Sequence, residues 1–184
     1  MKYHPLVLYR YQVLKQADVL LAHYLCPGDS DCLQKRRDFD YYEPLTTHDS
    51  SLSPLVHSVI ACRIGRLDKA LGYFRVAARA DLDNLHGNSR HGVHIASMGG
   101  AISCVRKGLA GLEFRQGDLS LQPLLPAGWD GYAFSLRYRG RRLCVEVDER
   151  CTVTLLEGEP VALWINGARV ELSDTLVVEL VESD

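Results

Sequence analysis

The chain has 184 residues, 47% of them hydrophobic and 24% charged, enough for one sizeable core or two small ones. A formal net charge of -2 supplies no basic face, so neither a nucleic acid nor an anionic membrane is expected as a partner. No apolar run approaches the ~18 residues that a membrane span needs, and the opening "MKYHPLVLYRYQVL" lacks the small-residue cleavage site of a secretory leader.

In chain order, the first expected element is a helix over Leu6 to Leu25, because Leu6, Tyr9, Val13, Leu14, Ala17, Leu20, Leu21 and Tyr24 recur near a 3.6-residue period. Pro27 and Gly28 end it. The segment 26 to 52 reads as a long connection, of the kind that carries function or belongs to something larger. A second helix begins at Pro54 with Ser53 as N-cap and runs to Gly65. A third covers Leu67 to Leu82, and a fourth runs from about His94 to Val105. Gly99 and Gly100 within it cost helix stability, which points to close approach of another backbone, with helix packing the simpler reason.

From Asp118 the period changes to two. Seven short runs, from "LSLQPLLP" to "LVVELVE", are rich in β-branched and aromatic residues and punctuated by Gly, Pro, Asn and Asp. Asn166-Gly167 is a hairpin turn of the strongest sequence type, and the basic stretch Arg137 to Leu143 falls at another turn as solvated surface. The expected fold class is α+β in two parts, with helices over 1–115 and a small sandwich of six or seven antiparallel strands over 116–184.

Six cysteines, Cys26, Cys32, Cys62, Cys104, Cys144 and Cys151, form no CxxC pair and read as reduced thiols in a cytoplasmic protein, a Cys26–Cys32 bridge being the less favoured alternative. No metal is expected. His86, His91 and His94 lie five and three apart and are interrupted by Gly87 and Gly92, which fits no helical ligand pattern.

The stretch "YYEPLTTHDSSLSP", Tyr41 to Pro54, is polar just before a helix. His48, Ser50 and Ser51 could donate hydrogen bonds to an anion beside the free N–H groups and positive dipole end of that helix. On composition alone the simpler reading is that Ser50, Ser51 and Ser53 cap the helix while His48 bonds a backbone carbonyl. Lys15 and Gln16 sit among apolar neighbours, where a lysine needs a partner or an exit to water.

Four stretches, "KQADVLLAHYL", "RRDFDYYEPLTTHDSSLSP", "ARADLDNLHGNSRHGVHIASMGG" and "LSLQPLLPAGW", resemble in order and spacing the last third of glycoside hydrolase family 65, which contains maltose, trehalose, kojibiose and nigerose phosphorylases and some hydrolases. After Gly100 the sequence departs from the family's common Thr-Trp pair. The resemblance implies the closing helices of an (α/α)6 barrel, a partial catalytic domain, followed by the family's C-terminal β-sandwich. It implies that Lys15 and Gln16 contact the donor glucosyl unit, and that His48, Ser50, Ser51 and His94 hold phosphate. It also puts the general-acid glutamate N-terminal to the Lys15-Gln16 pair, so no catalytic residue is expected in this chain, whose function would be that of the C-terminal portion of an inverting α-glucoside phosphorylase.

Such an enzyme needs no cofactor, inorganic phosphate being its co-substrate, and the expected ligands are an α-linked glucose disaccharide and phosphate. Partial barrel helices imply in addition a complementary N-terminal chain or a homo-oligomer. Two other readings compete. One is a non-catalytic carbohydrate-binding or assembly module; the other is a remnant of a family 65 hydrolase, in which Asp49 would have to activate water.

Overall fold

The computed structural model describes residues 4–8, 10–85 and 87–181, so Tyr9 of the expected first helix and His86 lie outside the described residues. The chain divides into two compact units, Met1–Cys104 and Val105–Asp184.

The first unit is helical: α1 (Pro5–Leu8), α2 (Asp18–Leu25), α3 (Cys32–Tyr42), α4 (Ser53–Arg63), α5 (Leu67–Arg79) and α6 (Ile95–Ser103). At its centre lies α4, with every residue from Ser53 to Cys62 buried and α2, α3, α5 and α6 packed around it. A helix that is apolar around most of its circumference has to sit this way. It ends in a Schellman turn: Gly65 adopts φ 77° while Arg66 N–H donates to the Ala61 carbonyl and Gly65 N–H to that of Cys62.

The single helix expected over Leu6 to Leu25 is instead two short helices separated by an irregular segment. The backbone explains the break. Leu14 N–H donates to the Leu45 carbonyl at 2.9 Å and Thr47 N–H to the Leu14 carbonyl at 2.7 Å, which forms a parallel bridge between Leu14 and Thr46. Those groups are then not available to a helical ladder. Lys15 and Gln16 therefore stand on an exposed loop directly before α2 rather than in mid-helix.

The segment 26 to 52 is not a bare connection. It contains α3, started by Asp31, whose carboxylate accepts from Gln34 N–H at 2.7 Å. Ser53 is not an N-cap: it is the first residue of α4, Leu52 precedes it, and no side chain caps that end. The fourth helix stops at Ser103 and continues as a π-helical turn over Cys104–Leu109.

Among its described residues the second unit has eight strands in two four-stranded sheets: β1 (Glu113–Arg115), β2 (Asp118–Leu121), β3 (Tyr132–Tyr138), β4 (Arg141–Val147), β5 (Arg150–Glu157), β6 (Val161–Ile165), β7 (Ala168–Leu172) and β8 (Thr175–Glu179). One sheet has the order β1-β2-β6-β7 and the other β3-β4-β5-β8. All pairings are antiparallel except β2 with β6, which is parallel, because the chain leaves β2 for three strands of the other sheet before returning. Leu119, Leu121, Leu163 and Leu172 from one sheet and Leu143, Val145 and Val153 from the other share one buried core, as in a sandwich. Asn166 and Gly167, at φ 49° and 80°, make the tight turn between β6 and β7, and Arg139-Gly140 do the same between β3 and β4. All six cysteines are free thiols, Cys26 and Cys32 included.

Candidate functional site

The Leu14–Thr46 bridge sets the geometry, because it carries two sequence-distant loops into one place. Lys15 and Gln16 follow one bridge residue, and His48 to Ser53 follow the other. Between them is a pocket of about 210 Å³ with Gln16, Asp18, Ser50 and Ser53 on its wall beside the apolar Ala17, Leu21, Leu52, Leu55 and Val56; Lys15, His48, Ser51 and His94 do not line it. Gln16 Nε2 donates to Asp18 Oδ1 at 3.0 Å, and Ser50 Oγ accepts from Leu52 N–H at 3.4 Å. Half-buried Ser51 belongs to the turn that opens α4.

His48 takes a left-handed backbone, φ 56°, a conformation that residues with a Cβ seldom hold without a compensating reason. Its ring sits between two partners, with Nδ1 3.1 Å from Ser53 Oγ and Nε2 3.3 Å from the Tyr73 hydroxyl. Tyr73 donates to Glu43 Oε1 at 2.9 Å, and Lys69 Nζ donates to the same oxygen at 2.8 Å. Behind this row lies His57, fully buried, its ring centroid 4.5 Å from that of His48 and 5.0 Å from that of Tyr73. His57 Nδ1 donates to the Ser53 carbonyl at 3.0 Å, while Nε2 is buried with no hydrogen-bond partner among the described residues.

The charges follow from these contacts. Burial would raise the Glu43 pKa, but hydrogen bonds from Lys69 and Tyr73 and the Lys69 charge outweigh it, so the carboxyl titrates below its ordinary range. Burial lowers the His48 pKa, with Glu43 offsetting part of the effect. For His57, burial pulls the pKa down to about 4 against the opposing hydrogen bond to Ser53. Burial, then the hydrogen bond to Glu43, raises that of Tyr73. At neutral pH the row is one ionised carboxylate, one phenol and two neutral imidazoles.

His94 is held by a different carboxylate. Asp81 accepts from His94 N–H at 2.7 Å and lies 2.6 Å from its Nδ1, which fixes the ring just ahead of α6. Gly100 on that helix meets α4, since a Cβ there would lie 2.5 Å from Leu55 Cδ2, whereas Gly99 faces open space. The close approach expected of the glycine pair is therefore helix packing, and one residue accounts for it. Among the described residues no group of three His, Cys, Asp or Glu side chains could hold a metal ion, and no helix is long and apolar enough to cross a membrane.

Residues 1–103 match the glycosyl hydrolase family 65 central catalytic domain, and residues 112–172 match that family's C-terminal domain. The chain belongs to glycosyl hydrolase family 65. It is 48% identical over 179 residues to an alpha,alpha-trehalose phosphorylase of Geobacillus stearothermophilus, covering 97% of this chain and 23% of that protein. It is 42% identical over 152 residues to a maltose phosphorylase of Bacillus subtilis, covering 82% of this chain and 20% of that one. A solved structure described as a putative kojibiose phosphorylase from human microbiome superposes with a TM-score of 0.92 at 32% identity, covering 97% of this chain and 26% of the other. This family 65 chain thus spans about a quarter or less of the length of these relatives.

Sequence reasoning did not anticipate Tyr73, Lys69 or His57 at this site. Lys69 and Tyr73 are four apart on α5, so their shared face was legible, but nothing local connects that face to Glu43. The Ser53 hydroxyl turns to His48 rather than capping the helix end.

Proposed function

We propose that this chain is the donor-sugar and phosphate wall of an inverting α-glucoside phosphorylase. Lys15 and Gln16 bind hydroxyls of the glucosyl unit; Ser50 and Ser51, with His94, bind inorganic phosphate; and His48, whose two ring nitrogens are engaged by Ser53 and Tyr73, positions that site. The observation that carries the reading is the bridge from Leu14 to Thr46, which leaves Gln16 and Ser50 lining one pocket. Trehalose, maltose and kojibiose phosphorylases among its relatives support an α-linked glucose disaccharide as the substrate class. Phosphate is already an anionic nucleophile, so this wall needs donors and positioning rather than a second catalytic carboxylate.

The leaving oxygen still needs a proton. In the proposed chemistry its donor is a carboxyl on the N-terminal side of Lys15, and Met1 to Leu14 contains no Asp or Glu. The 184-residue chain alone, assayed with phosphate and trehalose, maltose or kojibiose, should release no β-glucose 1-phosphate, since positioned proton transfer contributes ~100- to 10,000-fold. It should still bind glucose 1-phosphate in calorimetry. Turnover at ordinary enzyme rates would overturn the placement of the acid, and absence of glucose 1-phosphate binding would overturn the site. The six free thiols suit a reducing compartment, so we place the protein in the cytoplasm.

A second reading has its own support. Ile95, Met98 and Ile102 on α6 and Leu82 beyond α5 are all exposed, Ile95 and Leu82 each at 77%. An apolar row of this kind suits an assembly surface, for a complementary chain or a further copy. Sedimentation that shows one monomeric species at high concentration would count against it.

A further inference from the structure

Resting on the reading of this pocket as the phosphate site, we propose that Ser53 is a hydrogen-bond acceptor there, fixed in that role by the chain Glu43–Tyr73–His48, and that the pocket selects a tetrahedral anion carrying a P–OH hydrogen over one with none. Neither Ser53 nor Tyr73 was among the residues assigned to phosphate.

The direction of each hydrogen bond follows from the count of protons. Tyr73 has one hydroxyl hydrogen and two neighbours, Glu43 Oε1 at 2.9 Å and His48 Nε2 at 3.3 Å. The ionised carboxylate is the nearer and stronger acceptor, so the hydrogen goes to Glu43. The Tyr73 oxygen is then an acceptor toward His48, and His48 Nε2 must carry the hydrogen between them. A neutral imidazole has only one N–H, so Nδ1 is an acceptor, and its neighbour Ser53 Oγ, 3.1 Å away, must donate. With its hydrogen committed, the Ser53 oxygen has only lone pairs left to offer.

The surroundings hold this arrangement in place. Ser53 is 2% exposed, and its carbonyl accepts from His57 Nδ1, so the start of α4 is gripped from inside. Were Ser53 to turn and donate elsewhere, His48 Nδ1 would be left as a half-buried acceptor without a partner. Among the described residues the titratable groups packed near His48 are Glu43, Tyr73, Lys69 and His57; Lys69 and Tyr73 both donate to Glu43, and His57 Nδ1 donates to the Ser53 carbonyl. Asp18 lines the same pocket and is also an acceptor, its Oδ1 already taking the Gln16 amide. Two acceptors among the donors would repel a fully deprotonated anion. They suit one that brings a hydrogen of its own: at neutral pH both ionic forms of inorganic phosphate have a P–OH, whereas sulfate has none.

The test uses the full chain. Imidazole nitrogen shifts in NMR should show His48 with hydrogen on Nε2 and none on Nδ1. Calorimetry at pH 7 should show phosphate bound at least about 10-fold more tightly than sulfate. Ser53→Ala should cost about 10-fold in phosphate affinity while sulfate binds no more weakly than before, because one of the two acceptors that repel it is gone. Tyr73→Phe, which keeps Ser53 and the start of α4 intact, should let the His48 hydrogen move to Nδ1 and shrink the preference by a similar factor. Equal binding of the two anions, or hydrogen on Nδ1 in the unsubstituted chain, overturns the acceptor role while leaving the phosphate site standing. Binding of neither anion overturns both.

Discussion

His57 donates through Nδ1 to the Ser53 carbonyl and keeps Nε2 buried among Phe39, His48 and Tyr73, so protonating it would place a charge on a nitrogen that has no hydrogen-bond partner among the described residues. Its pKa is about 4 in the fold against an ordinary 6.5. Between those values the unfolded chain holds more protons, so stability rises with pH there and is lost as pH falls from 6.5 through about 4. The loss from this residue is on the order of 3 kcal/mol. Urea unfolding followed at pH 7, 5.5 and 4.5 should show it, and His57→Asn, which retains a donor near Nδ1, should flatten that dependence. Glu43 acts in the same direction at lower pH, because its depressed pKa contributes stability above 4.5 that is lost on acidification. At this scale His48, Ser50 and Ser51 were legible as hydrogen-bonding types before a helix. His57, Tyr73 and Lys69 were not, since their roles depend on α4 and α5 meeting Glu43, and that contact has no local signature.

Elements were most legible where a period or a turn residue had only one outcome. Gly65 stopped α4 as expected, and Asn166-Gly167 joined β6 to β7. The break before α2 was hidden because Leu14 satisfies a helical period while its backbone pairs with Leu45 and Thr47. Helix α3 was hidden for another reason. It is so rich in charge that only Phe39 is buried, and a helix with so little apolar face shows almost no periodicity. Its start is accordingly sensitive to its cap: Asp31→Ala should lower stability by ~1 kcal/mol, read as a shift of the urea midpoint. The glycine pair of α6 separates packing from propensity. Gly100→Ala drives a Cβ to 2.5 Å from Leu55 Cδ2 and should destabilise by ~1–3 kcal/mol. Gly99→Ala, with nothing within 4 Å, should instead stabilise by ~0.5–1 kcal/mol through helix propensity. If both substitutions act in one direction, the contact with Leu55 does not govern the position of Gly100.

At the scale of the whole chain, the change of period near Asp118 foretold two units, but the parallel pairing of β2 with β6 could not be read from alternation, which carries no information about strand direction. The two units differ in how completely each buries its own apolar residues. In the second, both sheets contribute to one core in which Leu143, Val145, Val153 and Leu163 are fully buried. In the first, α4 is enclosed, yet Ile95, Ile102, Leu82 and Leu25 are each more than half exposed. A unit with a closed core can fold alone, whereas one with an exposed apolar row tends to associate. Residues 105–184 expressed by themselves should therefore show a β-type circular dichroism spectrum and a cooperative thermal transition. Residues 1–104 should self-associate, with sedimentation shifting to larger species as concentration rises. A disordered C-terminal unit would mean that its core depends on the helical unit. A monomeric N-terminal unit would mean that the exposed row of α6 is simply solvated, and would remove the support for an assembly surface there.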